Sequence, residues 1–86
     1  MPEISRFYGI IIQMFYNEHL PPHFHATYGE FRAQISINNP QIINGDLPRR
    51  GLNLVLDWAE IHKDELLQLW ELAQQEKELF KVEPIK

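Results

Sequence analysis

The sequence contains no cysteine, and this absence excludes both disulfide frameworks and thiolate metal sites. Any bound metal ion would therefore need imidazole nitrogen and oxygen ligands. Long hydrophobic runs are also missing, because the apolar stretches are far shorter than the roughly 20 residues that span a bilayer. Residues 1–6 show no signal-peptide pattern, so we expect a cytoplasmic protein with no membrane partner.

Positive charge is scarce in the second half of the chain. Residues 53–86 hold four lysines against eight carboxylates, whereas four arginines balance four carboxylates in residues 1–52. A broad nucleic-acid interface needs a basic stripe, and the sequence shows none. A small anion site built from a few arginines stays open.

The length of 86 residues predicts a single domain over 1–86. The apolar content of 44% is ordinary for a folded chain, so disorder is not expected. A domain of this size is only marginally stable alone. We therefore expect a homo- or hetero-oligomer.

Strand patterns fill the first half of the chain. Residues 6–16 are mostly aromatic or β-branched and predict one strand. Gly29 supplies the tight connection of a predicted hairpin between 23–28 and 31–37. A short fourth strand is predicted over 41–44.

Helix patterns fill the second half. Glycine and proline are both absent from Leu52 to Phe80, and apolar residues recur there at helical spacing. Asp46 is a candidate cap before Pro48. The polar stretch 62–65 predicts a bend between two helices, and one long helix is the alternative.

This order of elements predicts an α+β fold. We expect a small antiparallel sheet of three to four strands, followed by two helices packed on one face. The sheet would occupy 5–44 and the helices 47–80, with a loose tail over 81–86.

Histidine is concentrated in residues 17–30, which hold three of the four imidazoles together with two glutamates and a tyrosine. Imidazole ligates metals and exchanges protons near neutral pH. On a strand over 23–28, His23 and His25 leave the same face. The alternative reading is structural: the histidines bind backbone carbonyls and fix the Pro-Pro turn, while Glu18 and Glu30 are solvated.

One chemical hypothesis is a divalent metal site, for example for zinc. His19, on the preceding loop, would join His23 and His25 as a third nitrogen ligand. A fourth position would stay open for water, as in catalytic zinc sites.

A second hypothesis needs no metal or other cofactor. Its candidate catalytic residues are His23, His25, Tyr28 and Glu30. The imidazoles would act as general base and acid, and Arg49 and Arg50 would bind phosphate at a helix start. The activity would be that of a metal-independent ribonuclease, cleaving RNA by transesterification.

The motif Asn-Glu-His-x-Pro-Pro-His-Phe-His-Ala-x-Tyr-Gly-Glu at 17–30 resembles the hallmark of a family of short bacterial proteins with only a domain-of-unknown-function label. Segments 6–10, 47–50 and 55–58 are similar to that family too, so the resemblance covers nearly the whole chain. Gly51 departs from the alanine usual there. The resemblance implies a small partner protein encoded nearby, in an arrangement that looks like a toxin–antitoxin pair.

The leading functional hypothesis is therefore an RNA-directed toxin within a toxin–antitoxin-like module. The alternative is a non-catalytic protein-binding module, antitoxin-like or an adaptor, whose acidic helices bind a basic partner. A third hypothesis is a small metal-binding protein that uses the histidine cluster.

Overall fold

A computed structural model describes residues 2–85 and places the sheet before the helices. The strands are β1 (Glu3–Phe7), β2 (Ile10–Gln13), β3 (His23–Tyr28), β4 (Phe31–Ser36) and β5 (Ile42–Gly45), and the helices are α1 (Arg49–Ile61) and α2 (Lys63–Gln74). Each strand pairs antiparallel with the next, which gives the sheet order β1-β2-β3-β4-β5. The predicted α+β class, antiparallel sheet and two helices are confirmed.

The sheet has five strands, and the prediction of three to four was wrong because residues 6–16 do not form one strand. Tyr8 and Gly9 have φ values of 50° and 80°, which turn the chain back so that Phe7 pairs with Ile10. Glycine adopts this conformation without steric cost. A single glycine inside an apolar run was the only local sign of the turn.

The two-residue repeat of β3 decides which side chains enter the core. Phe24 and Ala26 are fully buried, and the ring of Trp58 from α1 lies 5.7 Å from that of Phe24. The core-facing residues of β2 and β4 are Ile10, Ile12, Ala33 and Ile35. The helices therefore cover one face of the sheet, and His25 and Thr27 lie on the other.

The helices begin and end differently from the predicted bounds. Helix α1 follows Pro48 and has no side-chain cap, because the Asp46 carboxylate accepts a hydrogen bond from the Leu47 amide instead. A break at His62 separates α1 from α2, as the polar stretch predicts, and α2 ends at Gln74 rather than near residue 80. Neither helix in the described range combines the length and apolarity that crossing a bilayer requires.

The chain returns to the sheet after α2. The amide of Val82 donates a hydrogen bond of 2.7 Å to the carbonyl of Ile4, and Val82 is buried. The indole nitrogen of Trp58 donates to the carbonyl of Glu83 at 2.9 Å. Residues 81–85 are therefore held at two points instead of forming the expected loose tail, and residue 86 lies outside the described range.

Two glycines with positive φ provide a matched test of this fold. Gly45 and Gly29 have φ values of 79° and 60°, but an added Cβ would collide with the carbonyl of Arg32 only at Gly45, since nothing lies within 4 Å at Gly29. We expect Gly29→Ala to cost about 1–2 kcal/mol of stability from backbone strain. Gly45→Ala should cost roughly 1–3 kcal/mol more, because the strand must move. Urea denaturation measures both, and equal losses would contradict the register of β4 and β5.

Candidate functional site

A cleft of about 550 Å³ lies on the face of the sheet opposite the helices. Its floor consists of residues that alternate with core residues along the strands: Gln13 pairs with His25, and His25 pairs with Gln34. Phe15 contacts His25 edge-on, with ring centroids 4.4 Å apart. The polar residues of the lining are Gln13, His25, Thr27, Arg32, Gln34 and Asn44.

His25 and Glu18 form a hydrogen-bonded pair beside this cleft. The Nε2 atom of His25 lies 2.5 Å from Oε1 of Glu18. The side chains are 20% and 26% exposed, respectively. A carboxylate in this position orients the imidazole. The pair therefore has the composition of an acid–base dyad and stays in contact with solvent.

Contacts with the end of α2 hold Glu18 in place. The side-chain amide of Gln74 donates a hydrogen bond of 2.9 Å to the backbone carbonyl of Glu18. The neighbouring Asn17, at φ 57°, donates from Nδ2 to the carboxylate of Glu76 at 3.0 Å. The loop is anchored through the Glu18 backbone carbonyl and the Asn17 side chain. The Glu18 carboxylate therefore remains free to face the imidazoles.

His23 lies deeper than His25 and has a defined orientation. Its side chain is 6% exposed and packs against Trp70, with ring centroids 5.3 Å apart. The Nδ1 atom lies 2.9 Å from the carbonyl oxygen of Pro21. A carbonyl only accepts hydrogen bonds, so Nδ1 must carry a hydrogen. The Nε2 atom then faces Oε1 of Glu18 at 3.3 Å.

The structure brings together some of the residues predicted from sequence and separates others. His23 and His25 share a face, with ring centroids 5.4 Å apart. His19 is exposed on the loop, and Glu30 is exposed at the tip of the β3–β4 hairpin. Tyr28 lies on the face of the sheet that the helices cover, and its ring lies against Gly51 of α1.

The predicted phosphate ligands lie away from the imidazoles. Arg49 and Arg50 are exposed in the first turn of α1, next to the Gly51 position that contacts Tyr28. They are therefore on the helix side of the sheet, whereas His25 is on the cleft side. Arg32 is the arginine that lines the cleft.

Sequence reasoning did not assign a role to Glu18 or Arg32. The alternation of Arg32 and Gln34 with buried residues was visible as a two-residue repeat, and pairing it with β3 would have placed Arg32 on the face of His25. Glu18 gave a weaker signal, because a loop carboxylate beside prolines is usually solvated. Its position depends on contacts with the distant α2.

The fold and the site define a small α+β protein with a histidine–carboxylate cluster beside a polar cleft. A protein-family model described as Domain of unknown function (DUF4160) matches residues 9–71, and the chain belongs to that family. The matched range includes the cleft-lining strands, Glu18 and both imidazoles, and it confirms the expected uncharacterised family. Comparisons with curated proteins and with solved structures gave no match.

The orientation of His23 predicts its tautomer. At alkaline pH, where imidazoles are neutral, we expect the ring hydrogen of His23 on Nδ1, because the Pro21 carbonyl accepts a hydrogen bond there. The exposed His19 is the internal control and should show both tautomers. Long-range proton–nitrogen NMR correlations of ¹⁵N-labelled protein distinguish the two forms. A hydrogen found on Nε2 of His23 would refute this orientation.

Proposed function

We propose that this protein is an RNA-directed component of a toxin–antitoxin-like module in the cytoplasm, and that it cleaves phosphodiester bonds in the cleft. One observation carries the proposal: the His25–Glu18 pair lies beside a cleft whose lining also includes Arg32. A proton acceptor and a fixed positive charge in one concave site are what phosphodiester transesterification requires.

The chemistry follows from the arrangement of the dyad. If Nε2 of His25 donates to Glu18, Nδ1 is left as the proton acceptor. It would take the proton of a ribose 2′-hydroxyl as the 2′-oxygen attacks the adjacent phosphorus. The bond from phosphorus to the 5′-oxygen then breaks, and the same imidazole returns the proton to that leaving oxygen. The products are a 2′,3′-cyclic phosphate and a 5′-hydroxyl, without any cofactor.

The rest of the cleft suits a short single-stranded segment. A volume of about 550 Å³ falls within the usual range of ligand pockets. The amides of Gln13, Gln34 and Asn44 can hydrogen-bond to base edges and sugar hydroxyls, and Phe15 offers an aromatic surface at the margin. Unpaired RNA exposes the groups that such side chains recognise.

Substitutions on the two sides of the sheet provide the test. We expect His25→Ala to lower the cleavage rate of an oligoribonucleotide by about 10²–10⁴-fold, because the proton acceptor is lost. Arg32→Ala should lower it by about 10–100-fold through the loss of a charged hydrogen-bond donor. Arg49→Ala and Arg50→Ala are matched controls on the helix side and should retain full activity. Gel analysis of a labelled oligoribonucleotide gives the rates.

A substrate control addresses the chemistry itself. An oligonucleotide with deoxyribose at every position lacks the attacking hydroxyl and should remain intact. Growth inhibition on expression of the protein alone, relieved by the protein encoded beside it, would support the module. Cleavage that survives in His25→Ala but disappears in the Arg49→Ala and Arg50→Ala variants would refute the cleft as the active site.

The helix surfaces favour a second candidate, a protein-binding module without catalysis. Asp57 and Glu60 are exposed on α1 and line a depression of about 520 Å³ next to the β4–β5 turn. Asp64 and Glu71 are exposed on α2. Such a surface attracts a basic partner, and charged residues of this kind mainly raise association rates.

Charge reversal on α1 tests this second candidate. We expect Asp57→Lys with Glu60→Lys to slow association with the small protein encoded nearby by at least about tenfold at low salt, because the attraction becomes repulsion. Glu30→Lys, at the hairpin tip, is the control for net charge and should change association far less. Surface plasmon resonance at several salt concentrations measures the rates. Equal effects of the two substitutions would argue against a specific acidic surface.

A further inference from the structure

The buried Nε2 nitrogen of His23 lies near a carboxylate but makes no hydrogen bond among the described residues 2–85. It is fully shielded from solvent. The Pro21 carbonyl fixes the ring hydrogen on Nδ1, so the neutral ring directs a lone pair from Nε2. Buried polar atoms almost always have a partner, and an exception calls for an explanation.

A carboxylate lies close to this nitrogen. Oε1 of Glu18 lies 3.3 Å from Nε2 of His23, and both atoms are rich in electrons. Two such atoms repel each other at this distance unless a positive charge lies between them. A proton on Nε2 or a metal ion bound by both atoms would remove the repulsion, and a third nearby donor atom, Nε2 of His25, favours the metal ion.

A third donor atom lies at the same place. Nε2 of His25 is 2.5 Å from Oε1 of Glu18, and the three donor atoms all lie within 4.8 Å of one another. A tetrahedral ion with ligand bonds of about 2.0–2.1 Å needs donors about 3.4 Å apart. The His23–Glu18 distance already matches that value. A small rotation of the Glu18 carboxylate would open the His25 side.

We propose that Glu18, His23 and His25 bind one divalent transition-metal ion of the zinc class. Two imidazoles and one carboxylate form a donor set that zinc uses in catalytic sites, whereas calcium and magnesium prefer oxygen ligands alone. The hydrogen bond from Nδ1 of His23 to a backbone carbonyl is the outer contact usual for metal-binding histidines. Glu18 thus replaces the exposed His19 of the set predicted from sequence.

Metal binding at this site does not depend on the proposed function, but the ion would contribute to that function. An ion held here would lie beside the cleft, since His25 is partly exposed there. With the ion on Nε2 of His25, Nδ1 of that ring would carry the hydrogen, and a water bound to the ion, its pKa lowered towards neutrality, would take the 2′-hydroxyl proton instead. Only this use of the ion rests on the proposed RNA cleavage.

The test is titration of the chelator-treated, untagged full chain with Zn²⁺ by calorimetry and with Co²⁺ by visible absorption. We expect one ion per chain. The visible absorption spectrum of bound Co²⁺ should be that of tetrahedral coordination. Glu18→Gln and His25→Ala should weaken binding by at least about 10–100-fold, the loss seen even for outer contacts of metal sites. Both residues are partly exposed, so these variants should fold, and circular dichroism checks this.

Two histidines outside the cluster are matched controls. His19→Ala removes the exposed neighbour, and His62→Ala removes a second histidine–glutamate pair, in which Nδ1 lies 2.6 Å from Oε1 of Glu65. Both variants should bind like the unmodified protein. Absence of stoichiometric Zn²⁺ and Co²⁺ binding overturns the proposal, as does binding that depends on His19 but not on Glu18.

NMR gives a readout that does not involve activity. Zn²⁺ should shift the Nε2 resonance of His23 and leave its Nδ1 hydrogen in place. RNA cleavage is assayed separately, with and without chelator. Binding without cleavage would uphold the metal site and refute the proposed activity, whereas chelator-resistant cleavage by a protein that binds no metal would do the reverse.

Discussion

Packing of Phe24 against Trp58 of α1, together with the burial of Ala26, fixes the face and register of β3, and through it the position of both imidazoles. A slip of one residue would move an aromatic ring into water and bring His23 and His25 under Trp58. Fully burying a phenylalanine is worth about 1.5–3 kcal/mol, which strongly disfavours the slipped register. Apolar packing on one side of the strand therefore fixes the position of the polar histidines on the other.

The site also needs a segment that the sheet does not supply. Glu18 comes from the loop between β2 and β3, and its carboxylate reaches both imidazoles because Gln74 binds its backbone. Arg32 enters the same face from β4 by strand pairing alone. The cluster is thus assembled from a strand, a neighbouring strand and a loop that is anchored on a helix.

The sequence predicts those features that have a local cause. Alternation in β3 and β4 predicts the shared face of His23 and His25, and the spacing of apolar residues with a polar break predicts two helices. The turn at Tyr8 and Gly9 is obscured by apolar neighbours, and the return of Val82 to Ile4 depends on a contact between the two ends of the fold. Glu18 resembles any solvated loop carboxylate until Gln74, 56 positions away, holds its backbone.

The hydrogen bond between Gln74 and Glu18 has a thermodynamic consequence for the last turn of α2. A molecule that binds through the Glu18 carboxylate stabilises the position of Glu18. It therefore also stabilises the helical conformation of the last turn of α2, which holds Glu18 through Gln74. By linkage, a protein that binds the end of α2 would change the affinity of the cleft for its ligand. A ligand in the cleft would change the affinity for that protein by the same factor. The side-chain amide of Gln74 thus couples the cleft side of the sheet to the helical side.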